Sequence, residues 1–132
     1  MAKAINWPAP YRTEILEENT EQLCCALRLG DLYYNGRFWA PDEEVDIRCG
    51  HLRVRRGSVI GDMELITLSQ LEQRHFTALK NDLNTMDDVT SFFKTHYNED
   101  LTPESQLTVV FYKNLTAVPE DMDAPDPSER YV

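Results

Sequence analysis

Arg28 closes an apolar run from Leu23 to Leu29, and Gly30, Asp31, Tyr33, Tyr34, Phe38 and Trp39 follow it closely. A guanidinium at the end of a strand suits an anion, because its planar fork makes paired hydrogen bonds to phosphate or carboxylate oxygens. The aromatic side chains offer flat surfaces on which a base can stack. A second set, His51, Arg53 and Arg55, alternates along the chain, so on a strand all three share one face. No acid interrupts the stretch from Ile47 to Gly61. The candidate ligand-binding residues are therefore Arg28, Asp31, Tyr33, Tyr34, His51, Arg53 and Arg55. The ligand class is RNA, a nucleotide or another anion. The competing reading pairs the arginines with the chain's many carboxylates and puts the aromatic rings in the core.

Catalytic chemistry has a weaker footing. The sequence holds no Gly-x-Gly-x-x-Gly, no P-loop and no Gly-x-Ser-x-Gly. A hydrolase would have to use Asp31, Tyr34 or His75. His75 falls on the apolar stripe of an expected helix and reads as a satisfied core histidine. His96 lies near a helix C-terminus, where a cationic ring suits the dipole. Asp87 and Asp88 sit in a first turn, which carboxylates stabilise, and Glu43 and Glu44 read as solvated loop charges. Cys24, Cys25 and Cys49 have no metal-ligand spacing and are read as buried, reduced thiols. No metal and no cofactor are expected.

The elements that must position these residues follow from local pattern. Trp7, Pro8 and Pro10 make a stiff extended start, and a short helix opens at Pro10 or Tyr11 with Ile15 and Leu16 inward. Leu23 to Leu29 predicts a strand, and Asn35-Gly36 a tight turn. Val45, Ile47 and Cys49 alternate, and the phase changes after Gly50, which predicts a bulge or sharp bend in a curved strand. Met63 to Leu68 predicts a further strand. Ser69 to Glu72 fits a capping box ahead of a helix carrying Leu71, His75, Phe76 and Leu79. Thr85 to Asp88 caps a second helix with Met86, Val89, Phe93 and Tyr97 on its apolar stripe. Leu107 to Leu115 is rich in strand formers. The order of helix, strands, two helices and a last strand predicts an α+β fold: a small curved sheet or a PUA-like β-barrel with flanking helices.

The 132 residues suit one domain, read as 1–116, followed by an acidic tail, 117–132, whose Pro, Asp and Glu content predicts disorder. Thirteen basic against twenty-three acidic residues give a net charge of −10, which opposes unspecific nucleic-acid binding. The acidic tail is a candidate site for a protein partner. No apolar run is long enough for a transmembrane helix and no signal peptide precedes the domain, so no membrane partner and a cytoplasmic location are expected.

The pattern as a whole resembles the ASCH family, whose fold is PUA-like. The resemblance rests on Ile15-Leu16, Leu27 to Asp31, Met63 to Leu68, Phe92 to Tyr97, Leu101 to Glu104 and Leu107 to Phe111. It implies a small barrel with helices beside it, and a cleft near Arg28, which stands at the family's motif arginine. It also implies an RNA or nucleotide ligand. Some members resemble amidohydrolases of acetylated cytidine that use a Lys, a Thr and a Glu. Here the places of the lysine and threonine fall near Leu23 and Ala26, neither of which activates a nucleophile. The expected protein is therefore a noncatalytic binding module. A divergent hydrolase acting on a nucleoside-like substrate and a protein-interaction domain are the alternatives.

Overall fold

The computed structural model describes residues 3–117. Nearly all of the acidic tail lies outside the described residues. The chain runs β1 (Ala4–Trp7), α1 (Arg12–Glu17), β2 (Cys24–Leu29), α2 (Leu32–Asn35), β3 (Glu44–Cys49), β4 (Leu52–Val59), β5 (Glu64–Thr67), α3 (Gln73–Ala78), α4 (Met86–Tyr97) and β6 (Gln106–Ala117). Five strands lie side by side in the order β1-β3-β4-β6-β2, and β5 pairs with β6 off this path. The β1–β3 pair is parallel and all others are antiparallel.

This is an α+β fold with an open sheet, and the closed barrel implied by the family resemblance is not formed. The outer strands β1 and β2 share no ladder. A side chain spans the gap instead. Arg28 on β2 donates from Nη1 to the Leu27 carbonyl and from Nη2 to the Asn6 carbonyl on β1, both at 3.0 Å. Alternation along strands tells which residues share a face. It does not tell whether the two edges of a curved sheet meet.

The core is built as the strand pattern requires. Ile5, Val45, Ile47, Val54, Val59, Leu107, Val109 and Val110 are buried together with Ile15 of α1. The three cysteines are free and buried. Helix α4 is held at its start by the Thr85 Oγ1, which accepts from the Asp88 N–H at 3.1 Å, while Asp88 Oδ2 accepts from the Thr85 N–H. It ends where Asn98 takes a left-handed conformation, φ 54°. Its inner face carries Val89, Phe92 and Phe93.

Several local expectations are corrected. The stretch around Gly50 is a hairpin turn between two strands, not a bulge or bend within one curved strand. Gly50 and His51 have φ of 58° and 70°, and Cys49 faces Leu52, which is the geometry of a two-residue type I′ turn. The ladder's bulges lie at Ile47/Arg48 and Arg56/Gly57 instead. The tight turn expected at Asn35-Gly36 is the end of the one-turn helix α2, with Gly36 as its C-cap. Helix α3 begins at Gln73, because Leu71 is extended, and its cap is Glu72 with the His75 ring. The sequence also missed β1.

Lys80, which has no obvious place in the sequence pattern, lies inside the core. Its Nζ is 2.8 Å from Glu18 Oε2 and 4.1 Å from the centre of the Trp7 ring. Asn114 Nδ2 donates to the other Glu18 oxygen at 3.1 Å, and Trp7 Nε1 donates to the Tyr112 hydroxyl at 3.0 Å.

Candidate functional site: the cleft at the open seam

The gap between β1 and β2 opens into a cleft of about 520 Å³. Arg28, Leu27 and Leu29 come from β2, and Asn6 comes from β1. His51 comes from the β3–β4 turn, Tyr33 from α2, and Phe93, His96, Tyr97 and Glu99 from α4 and its end. The open edge thus explains why a cleft forms here: nothing in the ladder fills the space between the outer strands.

Arg28 is half-buried, and its guanidinium lies 5.8 Å from the Trp39 ring as well as on the two carbonyls. A guanidinium has five N–H donors, so two such bonds leave others for a ligand. Tyr33 stacks on Trp39 with rings 5.2 Å apart and 14° from parallel, which fixes one wall. On the opposite side Phe92 packs against Phe93, His96 and Tyr97. Burial pushes the Tyr97 hydroxyl above its ordinary range, against the opposing pull of Arg28, so it remains a protonated donor at neutral pH.

His51 is an unusual residue for a left-handed turn, and two contacts hold it there. Its N–H donates to Asn6 Oδ1 at 3.0 Å, and its carbonyl accepts from Arg48 Nη1 at 3.1 Å. With its Oδ1 taken, Asn6 has its amide NH₂ left as a donor. Glu99 adds a carboxylate to the lining.

Of the seven predicted binding residues, the fold brings Arg28, Tyr33 and His51 to this cleft. Asp31 precedes α2, and its carbonyl accepts from Asn35 N–H at 2.8 Å. Tyr34 lines a different cavity. Of the basic stripe, His51 lines the cleft with Arg28, while Arg53 and Arg55 do not. Arg53 lies 3.7 Å from Asp46 Oδ1, which also belongs to a carboxylate bonded to Arg48 at 3.2 Å. Arg55 is buried and donates to the carbonyls of Ile15 and Glu18 at the end of α1. There it satisfies helix carbonyls that lack partners within the helix. The reading that paired the arginines with carboxylates describes Arg53, whereas Arg55 bonds backbone carbonyls and, among the described residues, no acid.

Asn6, Phe93, His96, Tyr97 and Glu99 were not read as site residues. Phe93 and Tyr97 fall on the apolar stripe of α4, and only the fold shows that its last turn reaches the seam. His75, the candidate catalyst, is fully buried. Its Nδ1 accepts from the Glu72 N–H at 3.0 Å, so Nε2 carries the proton and donates to Glu64 Oε1 at 2.8 Å. Arg74 grips the same carboxylate through two bonds of 2.7 and 2.9 Å. This cluster fastens α3 to β5.

Among the described residues no group of His, Cys, Asp and Glu is arranged to hold a metal, and no helix is long and apolar enough to cross a membrane.

No family model matches the chain, so the ASCH resemblance has no family match behind it, and no curated protein matches either. The fold is similar to the crystal structure of a protein from Enterococcus faecalis V583 described by the family model DUF984. That match has a TM-score of 0.52 at 13% identity and covers 71% of this chain. The chain spans 61% of that structure's length, and the likeness is one of fold.

Proposed function

We propose that the protein binds a small anion bearing an aromatic ring, with a nucleotide as the best-fitting class, in the cleft at Arg28, without covalent chemistry. The observation that carries this reading is the meeting of Arg28 with His51 and His96 in one cleft walled by Tyr33, Phe93 and Tyr97. The guanidinium suits a phosphate, and the rings suit a base. The volume is that of a site for one small molecule. A long polyanion would meet the repulsion of a chain with net charge −10, whereas a mononucleotide engages only the local field. The noncatalytic part of the reading is supported by Leu23, which is exposed, and Ala26, which is buried, at the places where the amidohydrolase resemblance needs a lysine and a threonine.

Calorimetric titration with AMP, CMP and UMP, their nucleosides and a short RNA tests it. Nucleotides bind more tightly than nucleosides, and the affinity falls as salt rises. His96→Ala, a change at a half-buried ring, weakens nucleotide binding about tenfold or more if a charge-assisted bond of roughly 1.5–3 kcal/mol is lost. Equal affinity for nucleoside and nucleotide, or unchanged affinity in folded His96→Ala and Arg28→Ala proteins, refutes the reading.

A further inference from the structure

His51 holds a backbone conformation that costs it stability. Its φ is 70°, in the left-handed region that glycine enters freely and a residue with a Cβ does not. Glycine suits the second position of such a two-residue turn, yet here that position carries an imidazole. Strain of this kind persists where surrounding contacts enforce it, and it clusters at ligand sites. Asn6 of β1 supplies one of the enforcing contacts and also reaches the cleft's guanidinium. Its Oδ1 accepts from the His51 N–H, and its backbone carbonyl accepts from Arg28 Nη2, both at 3.0 Å. One residue thus sets the turn that carries the imidazole and the arginine beside it.

The His51 ring lines the cleft, and its Nδ1 is buried with no hydrogen-bond partner among the described residues. An orphaned buried N–H is rarer in native proteins than an acceptor left unmatched, so the neutral ring carries its proton on Nε2. Nε2 is then the nitrogen that the ring offers to the cleft, and it offers it as a donor. Resting on the nucleotide reading above, we propose that His51 donates from Nε2 to an oxygen of the ligand's phosphate, and that Asn6 is the positioning residue that holds this donor next to Arg28. His51 thereby tells a nucleotide from its nucleoside, which has no phosphate to accept the bond.

Calorimetry with AMP and adenosine, together with thermal melting, tests this on the wild type, His51→Gly, Asn6→Ala and the double variant. Glycine relieves the turn, so His51→Gly does not lower Tm. Its affinity for AMP nevertheless falls about tenfold or more, while that for adenosine is unchanged. The ratio of AMP to adenosine affinity is the readout for Asn6, because a direct contact of its amide with the nucleoside part cancels in it. Asn6→Ala lowers this ratio about threefold or more in the wild-type background and leaves it unchanged in the His51→Gly background. A wild-type ratio in His51→Gly overturns the proposal, as does a fall in its Tm of more than about 5 °C, which marks the imidazole as structural. A further loss of the ratio on adding Asn6→Ala to His51→Gly overturns the positioning role. If the wild type prefers AMP and Arg28→Ala abolishes that preference while His51→Gly keeps it, the nucleotide reading stands and this inference alone falls. A wild type with no preference for AMP removes both.

Discussion

Replacing Lys80 with methionine tests the buried charge pair directly. The Lys80 side chain is 1% exposed and that of Glu18 is 5%, and their charged atoms are 2.8 Å apart. The methionine keeps most of the stem's volume and its contact with Trp7, so little packing is lost. What remains is a carboxylate in the core with Asn114 as its neutral donor. Arg55 bonds to the Glu18 carbonyl, not to its carboxylate, and does not replace the ammonium. Removing one partner of a buried pair costs roughly 3–5 kcal/mol, because the other charge stays desolvated. In a chain of this size that is about 12–20 °C in Tm, a large share of a typical domain's stability. Adding Glu18→Gln removes the stranded charge but retains an acceptor for Asn114. The double variant is therefore more stable than Lys80→Met alone, by at least about 1 kcal/mol of coupling. Urea unfolding followed by circular dichroism measures all three proteins. A loss below about 1 kcal/mol in Lys80→Met, or a double variant no better than the single, refutes the argument.

Three further outcomes are expected. Burial, and then the Glu18 carboxylate, push the Cys24 thiol up to about 12, and burial raises Cys25 and Cys49 as well, so none of the three reacts with a disulfide reagent at pH 8 until denaturant is added; fast labelling of the folded protein contradicts this. Glu64 is held below its ordinary value of 4.5, first by its hydrogen bond from Arg74 and then by His75. A carboxylate depressed by folding contributes stability that is fully present above pH 4.5 and disappears as pH falls through the lower folded value. Between neutral pH and acid, Glu64→Gln therefore loses less stability than the wild type, and parallel acid-unfolding curves count against the Glu64 linkage. A Cβ at Gly57 would lie 2.9 Å from Ile47 Cδ1 and 3.1 Å from the Lys113 carbonyl, so Gly57→Ala destabilises by about 1–3 kcal/mol, measured by thermal melting; a neutral result shows that β3 and β4 yield at the bulge.

Local pattern was enough to identify the elements whose causes are local. The apolar run ending in Arg28, the Thr85 cap with its stripe of Val89 and Phe93, and the strand from Leu107 onward are fixed by propensity, capping and periodicity over a few residues. The burial of the cysteines and of His75 followed from the same patterns. The sequence also singled out Arg28, Tyr33 and His51, which share the cleft. Their meeting there depends on the fold. Gly50 and His51 turn the chain because Asn6, 45 residues away, accepts the His51 N–H, and no local signal marks that contact. Lys80 enters the core because Glu18, 62 residues away, meets it. Arg55 leaves the expected basic face because the end of α1 presents carbonyls to it. The sheet stays open at β1 and β2, a gap no alternation rule encodes, since periodicity reports which side chains share a face and only the packed chain decides which faces and edges come within bonding distance.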